Sequence, residues 1–571
     1  MLSFILKIRR ISLLSNLILA LYKMGKSSVF FLAAVSAFFI SGCRGYKLSS
    51  QKLQDTVLVS DTIQYHTVRI NKADGSILPW YSSDLGTSYD TVLLNAWNYW
   101  KNMPADSTGE KHYLHHQVYK KGDRRGLGGD QLMMALSSWD LLYNYTGDRS
   151  VLDNMKYIAD YYIKNSLSSP TCKWPNLPYP YNMKLLSGKY DGDMRAGKGY
   201  LQPDKAGSFG FELIKLYKKT GDEKYLDVAE KIANTLATHA QPGDNDHSPW
   251  PFKVNAETGN PGTLVESSFH YNSEPDNEKT TQPIIQKSVY STNWTGALNL
   301  FTDLIKMKKG DINAYKTAFE IALNWLKTYP LKSNKWGPFF EDIPGWSDTQ
   351  INAVTFTMYI LQNPDLFPDW RKDVKGIIEW THKELVNKEY AKYKVEVMNE
   401  QTVYRVPGNS HSSRQASVEL MYSRLSGDTT YKTNAIRTLN WATYTVASDG
   451  RNRYIRDDIW LTDGYGDYVR HYLRAMAAMP ELSPANKNRF LSSTSIVTSI
   501  EYKPEVITYS TFDSATDILR LKQKPNEIDC DGKELKESVD KNSEGFNWKP
   551  LSTGGVLQIK HNGRKLNLLL R

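Results

Sequence analysis

Five times along this chain an apolar-periodic segment ends in a short polar turn and a second such segment starts at once. The turns are Thr146-Gly147-Asp148, Thr220-Gly221-Asp222, Lys309-Gly310-Asp311, Asn363-Pro364-Asp365 and Ser426-Gly427-Asp428. Gly suits the left-handed residue just past a helix end, and Asp suits the cap of the next helix. The segments so joined are 129–146 with 150–166, 204–219 with 222–239, 290–308 with 311–328, 348–362 with 370–387, and 411–425 with 428–446. Connections between one hairpin and the next are long. Short turns at one end and long links at the other are what a ring of helical hairpins produces. Two segments have no partner of their own, 90–103 and 463–478, and pairing the first with the last closes the ring at six hairpins. First members carry small residues such as Ala206, Gly207, Ser208 and Gly210, as an inner ring requires. Second members carry more charge, as in Asp227-Val-Ala-Glu-Lys231, which suits an outer solvated face.

The chain is long enough for one large domain, assigned to 90–482, and a smaller one, 483–571. The smaller one changes period: Ser499–Tyr502, Val506–Tyr509 and Val556–Lys560 alternate as strands do, and Asn562-Gly563 before Lys565–Leu570 is a hairpin signal. Residues 44–89 read as a polar, strand-leaning lead-in. The first 43 residues read as an address. The second of two basic-then-apolar stretches ends Ile40-Ser41-Gly42-Cys43, resembling a bacterial lipobox, in which the Cys becomes the acylated N-terminus. Translation is expected to start at Met24, Cys43 to be the lipidation site, and the protein to be an exported lipoprotein, periplasm-facing or anchored at the outer membrane. An uncleaved transmembrane anchor is the alternative. Cys172 and Cys530 fall in different domains and are expected to remain thiols. No Cys/His spacing suits a metal, and no cofactor is expected.

The formal net charge is +10. An exported protein rarely meets nucleic acid and the chain has no basic recognition motif, so the charge points to an acidic saccharide instead. The 15 Trp and 36 Tyr exceed what a core needs, and many lie in the long links, as in Trp174–Tyr181. Aromatic planes pack on sugar C–H faces, although aromatics also anchor long loops.

In a ring of hairpins the long links lead into the inner helices, so six inner-helix N-termini point at one cavity. The polar residues there are the candidates. As catalytic groups we take Asp130, Asp348, Asp463, Asp467, His411 and Tyr465. As substrate-binding groups we take Gln131, Asp204, Asn293, Trp294, Glu341, Gln350, Asn409, Arg414 and Trp174. Arg124-Arg125 suits a carboxylate clamp or a solvated pair. Asp130, Asp204 and Asp348 also suit helix caps. His411 and Arg414 lie one turn apart and face the same way.

The hairpin ring, lipobox and small β tail together resemble the (α/α)6-barrel carbohydrate-active enzymes of Bacteroidota type, over about residues 90–480. The resemblance extends to uronidases such as β-glucuronidases and unsaturated glucuronyl hydrolases, and to barrel polysaccharide lyases. The Trp-Ser-Arg-Gly-type motif of the unsaturated glucuronyl hydrolases is not present. The expected fold is therefore a mainly α six-hairpin toroid with a small C-terminal β domain. The expected function is a glycoside hydrolase acting on uronic-acid-containing saccharides through paired carboxylates. The alternatives are a polysaccharide lyase, with Asn409 and Arg414 on the substrate carboxylate and His411 or Tyr465 moving protons, or a non-catalytic glycan-binding lipoprotein.

Overall fold

The computed structural model describes residues 56–571 except 106–110, 112–117, 120–129, 185–186, 194, 267–283, 340–345, 454, 456–459, 541–542 and 571; at 118–119, 130–132, 265–266, 284–286, 409 and 460–466 it describes the backbone alone. Cys43, Glu341 and Arg124-Arg125 lie outside the described residues. So do the side chains of Asp130, Gln131, Asn409, Asp463 and Tyr465.

Among the described residues, twelve long helices form the six hairpins: α1 (Leu85–Lys101), α2 (Asp130–Thr146), α3 (Arg149–Ser166), α4 (Pro203–Thr220), α5 (Glu223–His239), α6 (Thr295–Met307), α7 (Ile312–Thr328), α8 (Gln350–Gln362), α9 (Trp370–Leu385), α10 (Asn409–Ser426), α11 (Lys432–Ala442) and α12 (Thr462–Ala478). The turn chemistry works as the sequence implies. Gly221 and Gly427 take the left-handed conformation and end α4 and α10. The carboxylates of Asp148, Asp222 and Asp311 accept from Ser150, Lys224 and Ala314 N–H and start the next helices.

Even-numbered helices form the inner ring, with α4 on α6, α8 on α10, α10 on α12 and α12 on α2. The ring closes where the unpaired segments meet. Tyr89 of α1 donates to Asn440 of α11 at 2.6 Å, and Trp97 and Trp100 of α1 donate to Asp148 and Asn154. The same two indoles pack on Trp139 of α2, with centroids 5.0 and 5.2 Å away. Small residues set the inner spacing: a Cβ on Gly296 would sit 2.5 Å from the Ser208 Cα, and one on Gly207 would sit 2.9 Å from the Ala297 Cβ. The apolar core fills the space between the two rings and is continuous with that of the β region.

Among the described residues, three strands precede the ring: β1 (Thr56–Ile63), β2 (His66–Asn71) and β3 (Ile77–Leu78), paired in that order. After it come β4 (Arg489–Ser493), β5 (Val497–Tyr502), β6 (Val506–Thr511), β7 (Ala515–Leu521), β8 (Glu527–Cys530), β9 (Lys533–Glu534), β10 (Gly545–Pro550), β11 (Gly555–His561) and β12 (Lys565–Leu569). They make two antiparallel sheets, β4-β7-β11-β10 and β5-β6-β12-β8-β9, whose inward Phe490, Leu519, Ile559, Tyr509, Ile528 and Leu568 are buried together. The Asn562-Gly563 hairpin expectation is corrected here. β11 pairs with β7 and β10, whereas β12 pairs with β6 and β8, so the connection crosses from one sheet to the other. A two-residue hairpin of that composition needs left-handed residues, and Gly563 is not one of the left-handed glycines. Asp531 instead holds the corner, accepting from the N–H groups of Arg564 and Lys565 at 2.8 and 3.0 Å.

The β region docks on the short-turn end of the barrel. Lys219 of α4 donates to the Val497 carbonyl at 2.5 Å, Tyr502 donates to the Asn144 carbonyl, and Lys487 and Arg489 pair with Asp90 of α1. The long links and the inner-helix N-termini therefore occupy the opposite end. Cys172 and Cys530 are buried free thiols, and no described helix is long and apolar enough to cross a membrane.

Candidate functional site

A cavity of about 500 Å³ runs down the lumen, within the size range of ligand pockets. It reaches from Lys205, Asn293 and Arg414 near the inner-helix starts to Asn144, Asn363 and Ala478 at their ends, where Ser492, Ser493, Ser495 and Ile496 of the β region also line it. Helical period explains its polar wall. On α4, Lys205, Ser208, Glu212 and Lys215 recur at three- and four-residue steps, and all line the lumen; Ser137, Asp140 and Asn144 do the same on α2, and Arg470, His471 and Arg474 on α12. Six cations, Lys205, Lys215, Arg414, Arg424, Arg470 and Arg474, line it against two described carboxylates, Asp140 and Glu212. Two further carboxylates pair with these cations from behind the wall, Asp204 with Lys205 and Asp467 with Arg414 and Arg470, so the lumen keeps a smaller positive excess.

At the mouth the sequence candidates separate. Asp467 lies at the centre of a buried knot. It takes Arg414 on one oxygen, and Arg470 (Nη2 at 2.5 Å) and His471 (Nε2 at 2.8 Å) on the other. Burial works to raise its carboxyl, but Arg414, Arg470 and His471 outweigh it and hold the group well below the usual carboxylate range. Both oxygens of Asp467 are thus taken by basic side chains, which corrects its reading as one of the paired catalytic carboxyls. Arg414 is 1% exposed. Burial pulls its guanidinium down to about 10 against the pull of Asp467, and its Nη1 donates to Gln350 Oε1 at 2.6 Å. Gln350 in turn donates to the His411 carbonyl and to Gln415. His411 is buried, and burial followed by the Arg414 charge holds its imidazole well below its ordinary value, so it is neutral.

Asp204 is fully buried. One oxygen accepts from Lys205 Nζ and Asn293 Nδ2, both at 3.0 Å. Lys205 Nζ also sits 3.6 Å from the Phe339 ring centroid, a cation–π contact. Asp204 thus fixes two groups that face the cavity.

Three expected site residues lie elsewhere. Asp348 spends one oxygen on the Trp336 and Gly337 N–H groups and the other on the Trp346 indole, pinning a link, and does not line the cavity. Trp294 is a core residue that donates to the Ser291 carbonyl at 2.6 Å. Trp174 stacks on His239 of outer helix α5 at 4.1 Å. A tryptophan in a link finds more apolar area to bury on the outer ring than at a polar mouth, so these rings anchor links. Asp130 and Asp463 open neighbouring inner helices α2 and α12, at first position and second respectively.

The sequence reading missed Arg470, His471 and Arg474 although the signal was present: Asp467, Arg470, His471 and Arg474 stand at i, i+3, i+4 and i+7. It also missed Glu212, whose carboxyl is raised by burial despite Lys215 at 2.8 Å, and Lys219, buried against Asp140 at 3.1 Å. A further buried pair, Lys253 with Asp193 at 2.9 Å, ties two links together above α4.

No protein-family model matches the chain, and no curated protein sequence matches it. Solved structures do. The cellobiose 2-epimerase from Spirochaeta thermophila DSM 6192 superposes with a TM-score of 0.50 at 12% identity, covering 70% of this chain and 96% of that one. A family 76 glycoside hydrolase from a bovine Bacteroides thetaiotaomicron strain gives 0.43 at 14% identity, over 72% and 83%. An unsaturated glucuronyl hydrolase specific for heparin gives 0.41 at 10%, over 70% and 99%. The epimerase establishes the six-hairpin fold, and at such identity a likeness speaks to fold alone.

Proposed function

We propose that this protein is a glycoside hydrolase that cleaves a uronate-containing oligo- or polysaccharide at the mouth of its lumen. The observation that carries the reading is the charge of the cavity: six lining cations against four described carboxylates, Asp140 and Glu212 in the wall and Asp204 and Asp467 paired from behind it, on a fold shared with an enzyme named for its action on a disaccharide. A lumen of that sign raises the local concentration of an anionic substrate and leaves neutral saccharides unsteered. Lys205 and Asn293, both oriented by Asp204, are the groups we assign to the substrate's carboxylate and hydroxyls.

Hydrolysis needs one protonated and one ionised carboxyl across the scissile bond. Asp467 and Asp348 are both committed to other partners. We assign the pair to Asp130 and Asp463, whose backbones open two adjoining inner helices on the mouth. The lyase alternative loses its carboxylate clamp, because Arg414 is already neutralised by Asp467.

Product analysis on a panel of uronate-containing oligosaccharides tests the reading. New reducing ends without a rise in ultraviolet absorbance are expected. A rise marks an unsaturated product and replaces hydrolysis by elimination. No product from any acidic substrate, with cleavage of a neutral one, overturns the acidic assignment.

A further inference from the structure

Trp346 departs from the pattern of Trp174 and Trp294. It lies in the link that leads into α8, at the long-link end of the barrel, and 39% of it is exposed; no other described tryptophan is among the exposed large side chains. The ring is nevertheless held. Its Nε1 donates to Asp348 Oδ2 at 2.9 Å. Asp348 is itself fixed: its N–H donates to Thr402 Oγ1 and its carbonyl accepts from the Thr402 N–H, both at 3.1 Å, and its other carboxylate oxygen takes the Trp336 and Gly337 N–H groups. Tyr290 and Lys335 back the ring. The Tyr290 centroid is 5.0 Å from that of Trp346, and Lys335 Nζ is 4.8 Å from the Trp346 centroid and 5.1 Å from that of Tyr290. So nearly equilateral a triangle puts Tyr290 and Lys335 on one side of the indole, and among the described residues no ring or cation contacts the other side. The ring also stands beside the lumen. Gly337, left-handed at φ 68°, admits it: a Cβ there would lie 3.4 Å from Trp346 Cη2 and 2.7 Å from Tyr290 Cδ1. Phe339, two residues on, lines the cavity and carries Lys205 on its ring, and two residues span at most about 7 Å of extended chain. Asn293, which also lines the cavity, follows Tyr290 by three residues.

We propose that the free side of Trp346 is an outer sugar-binding platform, on which one pyranose unit of a saccharide stacks while a neighbouring unit of the same saccharide enters the lumen past Phe339 and Asn293. The platform rests on the reading of the lumen as a saccharide site and deepens it: the ligand is an oligosaccharide that spans rim and lumen, not a single sugar. A pyranose has a C–H face that packs on an indole while its hydroxyls stay in water. Such a contact loses least to ordering where the ring is already fixed before the ligand arrives. As a link anchor the ring would be buried, as Trp174 and Trp294 are at 5% and 0% exposure. As a clamp on the link, Asp348 needs only the oxygen that takes the Trp336 and Gly337 N–H groups. Its second oxygen fixes the plane of an exposed ring, which serves a ligand and not the core. Lys335 is already paired with Asp246 at 2.8 Å, so the platform selects by shape and leaves selection by charge to the lumen.

The full chain is oxidised with limiting N-bromosuccinimide, which attacks accessible indoles, and the extent of reaction at Trp346 is read by peptide mass spectrometry with and without saccharide. The probes are hexasaccharides of polygalacturonate, hyaluronan and polymannuronate, with galacturonic acid as the single-sugar control. Trp370, partly exposed where it opens outer helix α9 at the short-turn end, is the internal reference. At least one hexasaccharide should slow oxidation of Trp346 several-fold and leave Trp370 unchanged, and galacturonic acid at the same concentration should protect neither. Calorimetric titration of the protecting hexasaccharide should then show Trp346→Ala binding about tenfold more weakly, as loss of one aromatic contact implies, and Trp346→Phe, which keeps a ring, losing less. A hexasaccharide that protects Trp346 but is not cleaved leaves the platform standing and counts against the hydrolase reading. One that is cleaved while Trp346 reacts at its free rate does the reverse. No protection of Trp346 by any of the three, equal protection of Trp346 and Trp370, or equal affinity in the parent and Trp346→Ala overturns the proposal.

Discussion

The knot around Asp467 can be opened one residue at a time. Asp467→Asn keeps the shape of the side chain but removes its charge. It leaves Arg414, 1% exposed, with Gln350 as its remaining neutral partner and Arg470 with no described carboxylate in contact. Removing one partner of a buried ion pair costs about 3–5 kcal/mol, mostly because the other charge stays buried and uncompensated. Arg414→Gln leaves the opposite orphan, though Asp467 still has Arg470 and His471, so its cost should fall at the low end of that range. Neutralising both together removes the Arg414–Asp467 pair and leaves Arg470 as the remaining uncompensated charge, so the double variant should cost less than the two singles summed by about 0.5–3 kcal/mol. Urea unfolding followed by far-ultraviolet circular dichroism, which reads the helices, gives the three free energies, provided the slope with denaturant is unchanged. Asp467 is depressed in the folded state, so its contribution is fully present above the unfolded carboxyl value near 3.9 and is lost only as pH falls through the lower folded value. The cycle should therefore give the same coupling at pH 6 and pH 8. Costs that add to within about 0.5 kcal/mol, or singles that cost less than about 1 kcal/mol, would refute the description of this group as the centre of a buried knot.

Four further outcomes are expected. Asp130→Asn and Asp463→Asn should each lower turnover on an acidic oligosaccharide by about 10²–10⁴-fold, whereas Asp348→Asn should loosen its link and leave the chemical rate within a few-fold, as single-turnover kinetics would show. Gly296→Ala should destabilise by about 1–3 kcal/mol because its methyl meets the Ser208 backbone, while Gly376→Ala on outer helix α9, with open space around it, should stabilise by about 0.4–1 kcal/mol; calorimetry of both variants checks the sign. At His561 burial opposes the charge, but the Asp517 carboxylate at 2.8 Å outweighs it and the imidazole is raised. That stabilisation should be complete below the unfolded value near 6.5 and fade as pH climbs through the folded value, and His561→Phe should flatten the decline of the urea midpoint on the alkaline side. Finally, Cys43→Ala should abolish incorporation of an alkyne fatty acid if Cys43 is the lipidated N-terminus.

The ring was legible in the sequence because its turns are chemically rigid. A Gly after one helix and an Asp before the next serve the same two roles at several joints, and those roles hardly depend on tertiary context. The end of the barrel that carries the long links was legible too, since long links on one side follow from short turns on the other. Individual site residues were not, and the reason is visible at Asp348 and Asp467. Each lies near the start of an inner helix, and each would serve equally as an acid, a cap or a counter-ion. The choice is made by groups far away in sequence: Trp336 and Gly337 for one, Arg414 for the other. The tryptophans failed for a related reason. Trp174 and Trp294 lie in or beside links that pass over the mouth, but a large ring is drawn to whichever neighbouring surface is driest, here the outer ring and the inter-ring core.

The polar stripes show what the sequence did offer and what an inner helix must reconcile. An inner helix has an apolar side towards the outer ring, small residues towards its neighbours and a third side towards the lumen. On α4 that third side reads Lys205, Ser208, Glu212, Lys215, and the two glycines that admit close approach, Gly207 and Gly210, lie off it. A barrel selected for stability alone would fill the third side with apolar residues, because burying ion pairs such as Asp140 with Lys219 gains little over well-packed hydrocarbon. Here instead the stripes on α2, α4 and α12 keep the lumen polar from mouth to floor. The compensation within it is uneven: Asp204 and Asp467 hold their partners at the mouth, whereas Arg424 and Arg474 at the floor have no described counter-ion. The positive charge left over acts through a field that salt screens, so rising ionic strength should weaken capture of an acidic substrate.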